Sequence, residues 1–154
     1  MSVFLTRPFN PGDQQEARRL VLDGLSEHFE VIDESLNPDL DDIQRSFIEA
    51  GDSFYVAEFD GHIVGTAGLR FEPGRARIVR MSVAKVHRKR GVARALLERC
   101  IESARQHGIA EIVAFTEPHW SDAVRFYTGA GFEQYDSDEI DIHLRLPLNA
   151  VSTR

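Results

Sequence analysis

Residues 77–108 read RIVRMSVAKVHRKRGVARALLERCIESARQHG, and the rest of the chain is best understood outward from them. The run at 78–84 is apolar and rich in β-branched residues, as a strand requires. A basic loop follows at 85–90, and Gly91 then opens a helix in which Val92, Ala95, Leu96, Cys100 and Ala104 recur at intervals of three and four. A strand that passes through a basic, glycine-containing turn into a helix N-terminus makes an anion site. The first helical N–H groups lack internal partners, and the helix dipole places partial positive charge beside them. A side chain at the glycine would keep a phosphate away from the backbone. The spacing therefore predicts a site for a phosphorylated cofactor.

A length of 154 residues suits one domain with a sizeable core, expected over 1–147 with a frayed tail at 148–154. At 42% hydrophobic and 28% charged the composition is that of an ordinary globular protein, and no run approaches the roughly 20 apolar residues that span a bilayer. The first ten residues, MSVFLTRPFN, carry neither a basic nor an apolar leader region, so a cytoplasmic location without membrane attachment is expected. One cysteine, Cys100, allows no internal disulfide and no multi-thiolate metal site; the scattered histidines lack ligand spacing, so no metal is expected.

The net charge of −7 argues against a nucleic-acid partner but hides a polarity. Between Leu20 and Gln44 stand eight acids (Asp23, Glu27, Glu30, Asp33, Glu34, Asp39, Asp41, Asp42) and no lysine or arginine. Between Arg75 and Arg105 stand ten bases against Glu98 and Glu102. A basic half suits a polyphosphate and an acidic half a cationic second substrate; both also suit solvated helix faces.

Strands are expected at 3–9, 53–59, 62–70, 78–84, 111–116, 132–135 and 140–146, with helices from Asp13 to about Ser26, at 39–49, from Gly91, and at 121–128. Asp60-Gly61 signals a two-residue hairpin turn and Pro73-Gly74 another turn. The strand–helix–strand unit ending at Thr116 must pair in parallel through a right-handed crossover, whereas the consecutive strands around it pair antiparallel. The expected fold is α+β with α/β/α layers: a mixed, mostly antiparallel sheet of about seven strands flanked by about four helices.

Two blocks then carry a family resemblance. Arg88-Lys89-Arg90-Gly91-Val92-Ala93 follows a strand ending Met81-Ser82-Val83, and Ala123-Val124-Arg125-Phe126-Tyr127 precedes Gly131-Phe132. In this order and at these element boundaries the chain resembles the GNAT superfamily of N-acetyltransferases over nearly its whole length. The resemblance implies acetyl-CoA as co-substrate. Backbone N–H groups from Arg88 to Ala93 would hold its pyrophosphate, with Lys89, Arg90 or Arg94 neutralising charge. It also implies that the pantetheine arm lies along Met81, Ser82 and Val83, that the Val83 N–H polarises the thioester carbonyl, and that Tyr127 protonates the leaving thiolate. Family relatives often dimerise, although no segment here identifies an interface.

The general base is less determined. The family glutamates fall near Arg77 and Phe115, so Glu117, His119 and Glu72 are the candidates, with a water chain as the alternative. Trp120 stands where many relatives carry an asparagine that contacts the cofactor arm. Cys100, alone on an apolar helix face, reads as core packing. The expected acceptor is a primary amine on a cationic small molecule or basic peptide, with Phe29, Phe47 and Trp120 as walls. An amino acid held by Arg70, Arg77 or Arg80 is the rival, and a non-catalytic acetyl-CoA-binding domain is the alternative class.

Overall fold

A computed structural model describes residues 3–27 and 37–148. Seven strands, β1 (Leu5–Pro8), β2 (Ser53–Phe59), β3 (His62–Glu72), β4 (Arg75–Val83), β5 (Glu111–Thr116), β6 (Glu133–Ser137) and β7 (Ile142–Pro147), form one sheet in the order β1-β2-β3-β4-β5-β7-β6. Only β4 and β5 pair in parallel, across the crossover helix α2 (Val92–Gln106); every other pair is antiparallel. The mixed, layered fold expected from the sequence is thus the one observed.

Period-two alternation feeds two cores. On one face Phe54 and Val56 of β2 pack with Phe9, Leu40, Ile43, Phe47 and the buried Ala17, Val21 and Leu22 of helix α1 (Gln14–Leu25). On the other, Ala57, Ala67, Leu69, Ile78 and Ala114 meet Leu96, Leu97 and Cys100 of α2 and Tyr127 of helix α3 (Ser121–Gly129). Contact between α2 and the sheet is close because β3 carries Gly65. A Cβ there would stand 2.7 Å from Val92 Cγ1 and 2.9 Å from Leu96 Cδ1.

Several boundaries differ from expectation for local reasons. Asp60 and Gly61 both have positive φ, as the predicted hairpin turn needs. The Pro73-Gly74 turn is tighter than expected, so β3 runs on to Glu72 and β4 starts at Arg75. Residues 39–49, expected as one short helix, are wound as a turn at Pro38–Leu40 and a wide single turn at Gln44–Ile48. Asn37-Pro38 and the acids Asp39, Asp41 and Asp42 favour turns and caps over a continuous helical register; the Arg45 N–H, for example, is capped by Asp42 at 3.1 Å. Leu148, placed in the tail by the sequence, still donates its N–H to Ala110 O at 2.8 Å.

One irregularity shapes the functional half. Thr66 lies opposite Ser82, but Gly68 lies opposite Val79, so β4 carries an extra residue around Arg80. Arg80 itself is left-handed, with φ 55, which a side chain ordinarily disfavours. Three contacts hold it. Thr66 Oγ1 donates to Arg80 O at 2.8 Å, the guanidinium donates to both Asp39 oxygens at 2.9 and 2.7 Å, and Nη2 also reaches Asn37 Oδ1 at 3.0 Å. Beyond the bend, β4 leaves β5: their pairing ends at Ile78 opposite Ala114.

Two outcomes follow from this packing. Gly65→Ala should lower stability by about 1–3 kcal/mol, read as a fall in Tm, because the added methyl overpacks against the first turns of α2. For Asp39, burial by itself would raise the carboxyl's pKa, but the hydrogen bonds and charge of Arg80 outweigh it and hold the group below the ordinary carboxylate range. A folded value below the unfolded one of about 3.9 means stability that is present above that pH and lost as pH falls through the folded value. Asp39→Asn should therefore lower stability at neutral pH and flatten the acid limb of a pH–denaturation series.

Candidate functional site

The separation of β4 from β5 opens a cleft of about 1190 Å³. Its floor is the bent half of β4; α2 and the loop before it form one wall, and β5 with α3 the other. At the inner end of the loop, Ala84 donates its N–H to Val64 O at 2.8 Å. In an antiparallel ladder neighbouring residues alternate sides, so the N–H and C=O of Val83 point away from β3 into the cleft. The Val83 carbonyl accepts Arg88 Nε at 3.0 Å.

The loop itself is shaped by two left-handed residues, Lys89 (φ 63) and Gly91 (φ 87). From Lys89 to Arg94 no backbone N–H finds a backbone acceptor among the described residues. Six consecutive donors at the end of a 15-residue helix, with no acidic residue in its first turn, make a concavity for an anion. A Cβ on Gly91 would meet nothing within 4 Å, so the space above the glycine is open. Among the described residues Arg94 pairs only with Glu98, at 3.8 Å. The Arg88 side chain is already committed: besides Val83 it donates to both Glu27 oxygens at 2.8 and 2.6 Å.

On the opposite wall Tyr127 is 7% exposed and touches the Phe126 and Phe132 rings edge-on. Burial, with a smaller contribution from Cys100, pushes its phenol well above the ordinary value. Cys100, fully buried in α2, has its thiol pushed up to about 12 by burial, as a packing residue should. Thr116 ends β5 at 4% exposure, and its Oγ1 is buried without a hydrogen-bond partner among the described residues, which ordinarily costs about 1–3 kcal/mol. His87 Nδ1 is likewise buried and unpartnered on the loop side.

Most residues singled out from the sequence meet in this cleft. Met81, Ser82, Val83, Arg88, Lys89 and Gly91 line it, as do Val92, Ala93, Arg94 and Tyr127. Arg90 and Glu117 do not; Arg90 is exposed, and Glu117 points Oε1 toward His119 Nε2 at 3.5 Å. Glu72 is also outside. Burial opposes its charge, but Arg75 and Arg77 together hold its carboxyl below the usual range, so it is a poor proton acceptor. Trp120 lines the cleft, whereas Phe47 is wholly buried beneath the Arg70 guanidinium; Phe29, Glu30, Asp33 and Glu34 lie outside the described residues. Residues not anticipated are Thr116, Asp141 and Phe115 as a wall. The signal for Thr116 was a polar residue at the inward position of the series Ile112, Ala114, Thr116.

Among the described residues no helix is long and apolar enough to cross a membrane, and no three His, Cys, Asp or Glu side chains group as metal ligands.

A profile of the Acetyltransferase (GNAT) family matches residues 18–132. N-acetyltransferase family 8 member 2 of Rattus norvegicus is 36% identical over 117 residues, which are 72% of this chain and 52% of that protein. The chain spans about half the length of the curated relatives it matches. In fold it is similar to a GNAT-family acetyltransferase from Staphylococcus aureus Mu50 (TM-score 0.87, 23% identity, covering 96% of this chain and all of that one). It is also similar to the PaiA N-acetyltransferase of Thermoplasma acidophilum in complex with coenzyme A (TM-score 0.84, 15% identity, covering 94% and 99%). The split strand, the amide-lined loop and this profile match converge: the chain belongs to the GNAT acetyltransferase family.

Proposed function

We propose that this protein transfers an acetyl group from acetyl-CoA to a primary amine by direct attack. The observation that carries the reading is the run of unbonded amides from Lys89 to Arg94 beside the open edge of β4. The residues present fit that co-substrate. The loop amides, with Lys89 and Arg94, would take its diphosphate; Arg88 takes part through its backbone only, since its guanidinium holds Glu27. Coenzyme A bound to the PaiA relative of the same fold supports the assignment.

Acetyl-CoA would supply an activated thioester, and the chain's own groups would then act on the transfer. The Val83 N–H, turned into the cleft, is suited to stabilise negative charge developing on the acyl oxygen. Tyr127, held neutral by burial, gives its proton to the departing sulfur as the new C–N bond replaces C–S. An alkylamine with a pKa near ~10.4 is mostly protonated at neutral pH and must lose protons on attack. With Glu72 locked by arginines and Glu117 outside the cleft lining, we route these through water in the open cleft rather than to either carboxylate.

For the acceptor, the argument from an acidic half weakens. Glu27 is spent on Arg88, Asp39 on Arg80 and Asp42 on a helix-turn N–H. Meanwhile Arg70, Arg77 and Arg80 line the cleft; Arg70 and Arg80 are held by Asp52 and Asp39, whereas Arg77, bound to Glu72 through Nε and Nη2, keeps Nη1 without a partner among the described residues, its Cζ 5.1 Å from the Phe115 ring centroid. This favours an amine that also carries a carboxylate over a purely cationic one.

Calorimetry of the folded protein with coenzyme A should show binding; its absence would defeat the reading. Tyr127→Phe should lower kcat by roughly a hundredfold while leaving coenzyme A affinity unchanged, whereas a purely cofactor-binding domain would show no turnover to lose. A panel of polyamines, basic peptides and amino acids, followed by thiol release, should show the highest kcat/KM among amino acids.

A further inference from the structure

The arginines that line the cleft are not equally spent. Arg70 donates to Asp52 and Arg80 to Asp39, one carboxylate for each cation. Glu72, by contrast, is shared. Its Oε1 accepts Arg75 Nε at 2.9 Å, and its Oε2 meets Arg77 Nε and Nη2 at 2.9 and 2.7 Å. Two cations against one anion leave this trio at +1. Arg75 lies outside the cleft lining and gives Nη1 to Tyr135 Oη, so the surplus is presented by Arg77. Ala76 and Ile78 face the α2 core, and alternation therefore turns Arg77 and Val79 to the α1 face of the sheet. The acceptor must use that face. A carbonyl that meets the Val83 N–H in the plane of the sheet is attacked from above or below that plane, and on the α2–α3 side packed side chains, Tyr127 among them, fill the space.

The ladder between β3 and β4 supplies a ruler. Val83 lies opposite Gly65 and Arg77 opposite Arg70, so the two are about 17 Å apart along the sheet at roughly 3.4 Å per residue of β3. The bend at Arg80 shortens that span, but Glu72 anchors the Arg77 guanidinium toward the β3–β4 hairpin rather than toward Val83. An α-amino acid carries its amine and carboxylate on one carbon and cannot serve both places. We propose that the acceptor is an ω-amino acid, with its carboxylate on Arg77 Nη1 and its reacting amine several methylenes away, as in 6-aminohexanoate or the side chain of free lysine. The inference rests on the reading of the cleft as an acetyl-CoA site. Val21 and Leu25 of α1 and Val79 of β4 line the space between the two ends with apolar surface that suits methylenes. The terminal nitrogen forms the C–N bond as C–S breaks, its displaced proton passes to water, and the sulfur leaves with the proton of Tyr127.

Three small acceptors, with acetyl-CoA as donor, separate reach from charge. The value of kcat/KM for 6-aminohexanoate should exceed that for glycine, which has the carboxylate without the reach. It should also exceed that for cadaverine, which has the reach without the carboxylate. Each margin should be roughly tenfold or more, about 1.4 kcal/mol. L-Lysine should be acetylated on its side-chain nitrogen, read from the fragmentation spectrum of the product. Arg77→Gln should raise KM for 6-aminohexanoate roughly tenfold and erase most of its advantage over cadaverine, a change of ratio that general damage to the fold does not produce. Arg77→Lys, which keeps a cation, should restore part of that advantage. The wild-type comparisons decide the matter even where a variant folds poorly. Faster turnover of glycine, acetylation of lysine on its α-nitrogen, or equal rates with cadaverine would each overturn the proposal. Binding of coenzyme A without turnover of 6-aminohexanoate would do the same. Failure of the wild-type protein to bind coenzyme A would instead refute the reading beneath it.

Discussion

One extra residue in β4 governs the functional half of this molecule. The bulge at Arg80 turns the strand so that it cannot stay paired with β5 past Ile78. Backbone polar groups in a sheet are ordinarily matched by a neighbour, and an opened edge leaves a row of them facing a cleft. The structure thus carries a sheet left open between β4 and β5 past Ile78. Keeping it open requires a left-handed non-glycine residue, disfavoured by roughly 1–2 kcal/mol. That strain is offset by the Thr66 hydroxyl and by the Asp39 carboxylate, both on elements outside β4.

The charge polarity visible in the composition has a corresponding structural use. Glu27 grips Arg88, and Asp39 grips Arg80, each through both carboxylate oxygens. One pair ties the end of α1 to the loop and, through Arg88 Nε, to the Val83 carbonyl; the other ties the turn at Pro38–Leu40 to the bulge. Bidentate pairs of this kind fix orientation as well as position. Glu27 and Asp39 therefore brace the β4 side of the cleft. At the loop, positive charge left for an anion resides in Lys89, Arg94 and the backbone amides, a smaller and more localised set than ten bases suggest.

Much of the fold was legible because its signals are local. The change of period at Gly91, the Asp60-Gly61 turn and the parallel crossover each follow from short stretches; Gly91 was singled out for close approach to its backbone, and the structure adds a positive φ beside open space. The bulge was not legible: Arg80 is neither glycine nor asparagine, and what makes it tolerable lies 41 residues away at Asp39. For the same reason the acids read as a field rather than as partners, since Glu27 and Arg88 are 61 residues apart. Glu117 and Glu72 were reasonable bases by chain position, yet side-chain direction and arginine neighbours decide their chemistry, and sequence spacing encodes neither.

The wall around Tyr127 bears on how the proposed proton transfer is driven. A tyrosine whose pKa is raised is a weaker acid, which at first counts against it as a proton donor. The cause of the rise is burial, and burial penalises any anion in the same surroundings, as the raised thiol of nearby Cys100 shows. A thiolate forming against this wall would be raised by the same penalty and become a stronger proton acceptor. What governs transfer is the difference between the two groups, and shared desolvation largely cancels in that difference. Apolar packing by Phe126 and Phe132 thus keeps Tyr127 protonated, and in the proposed transfer it would do so until a sulfur anion formed beside it, without making the exchange uphill.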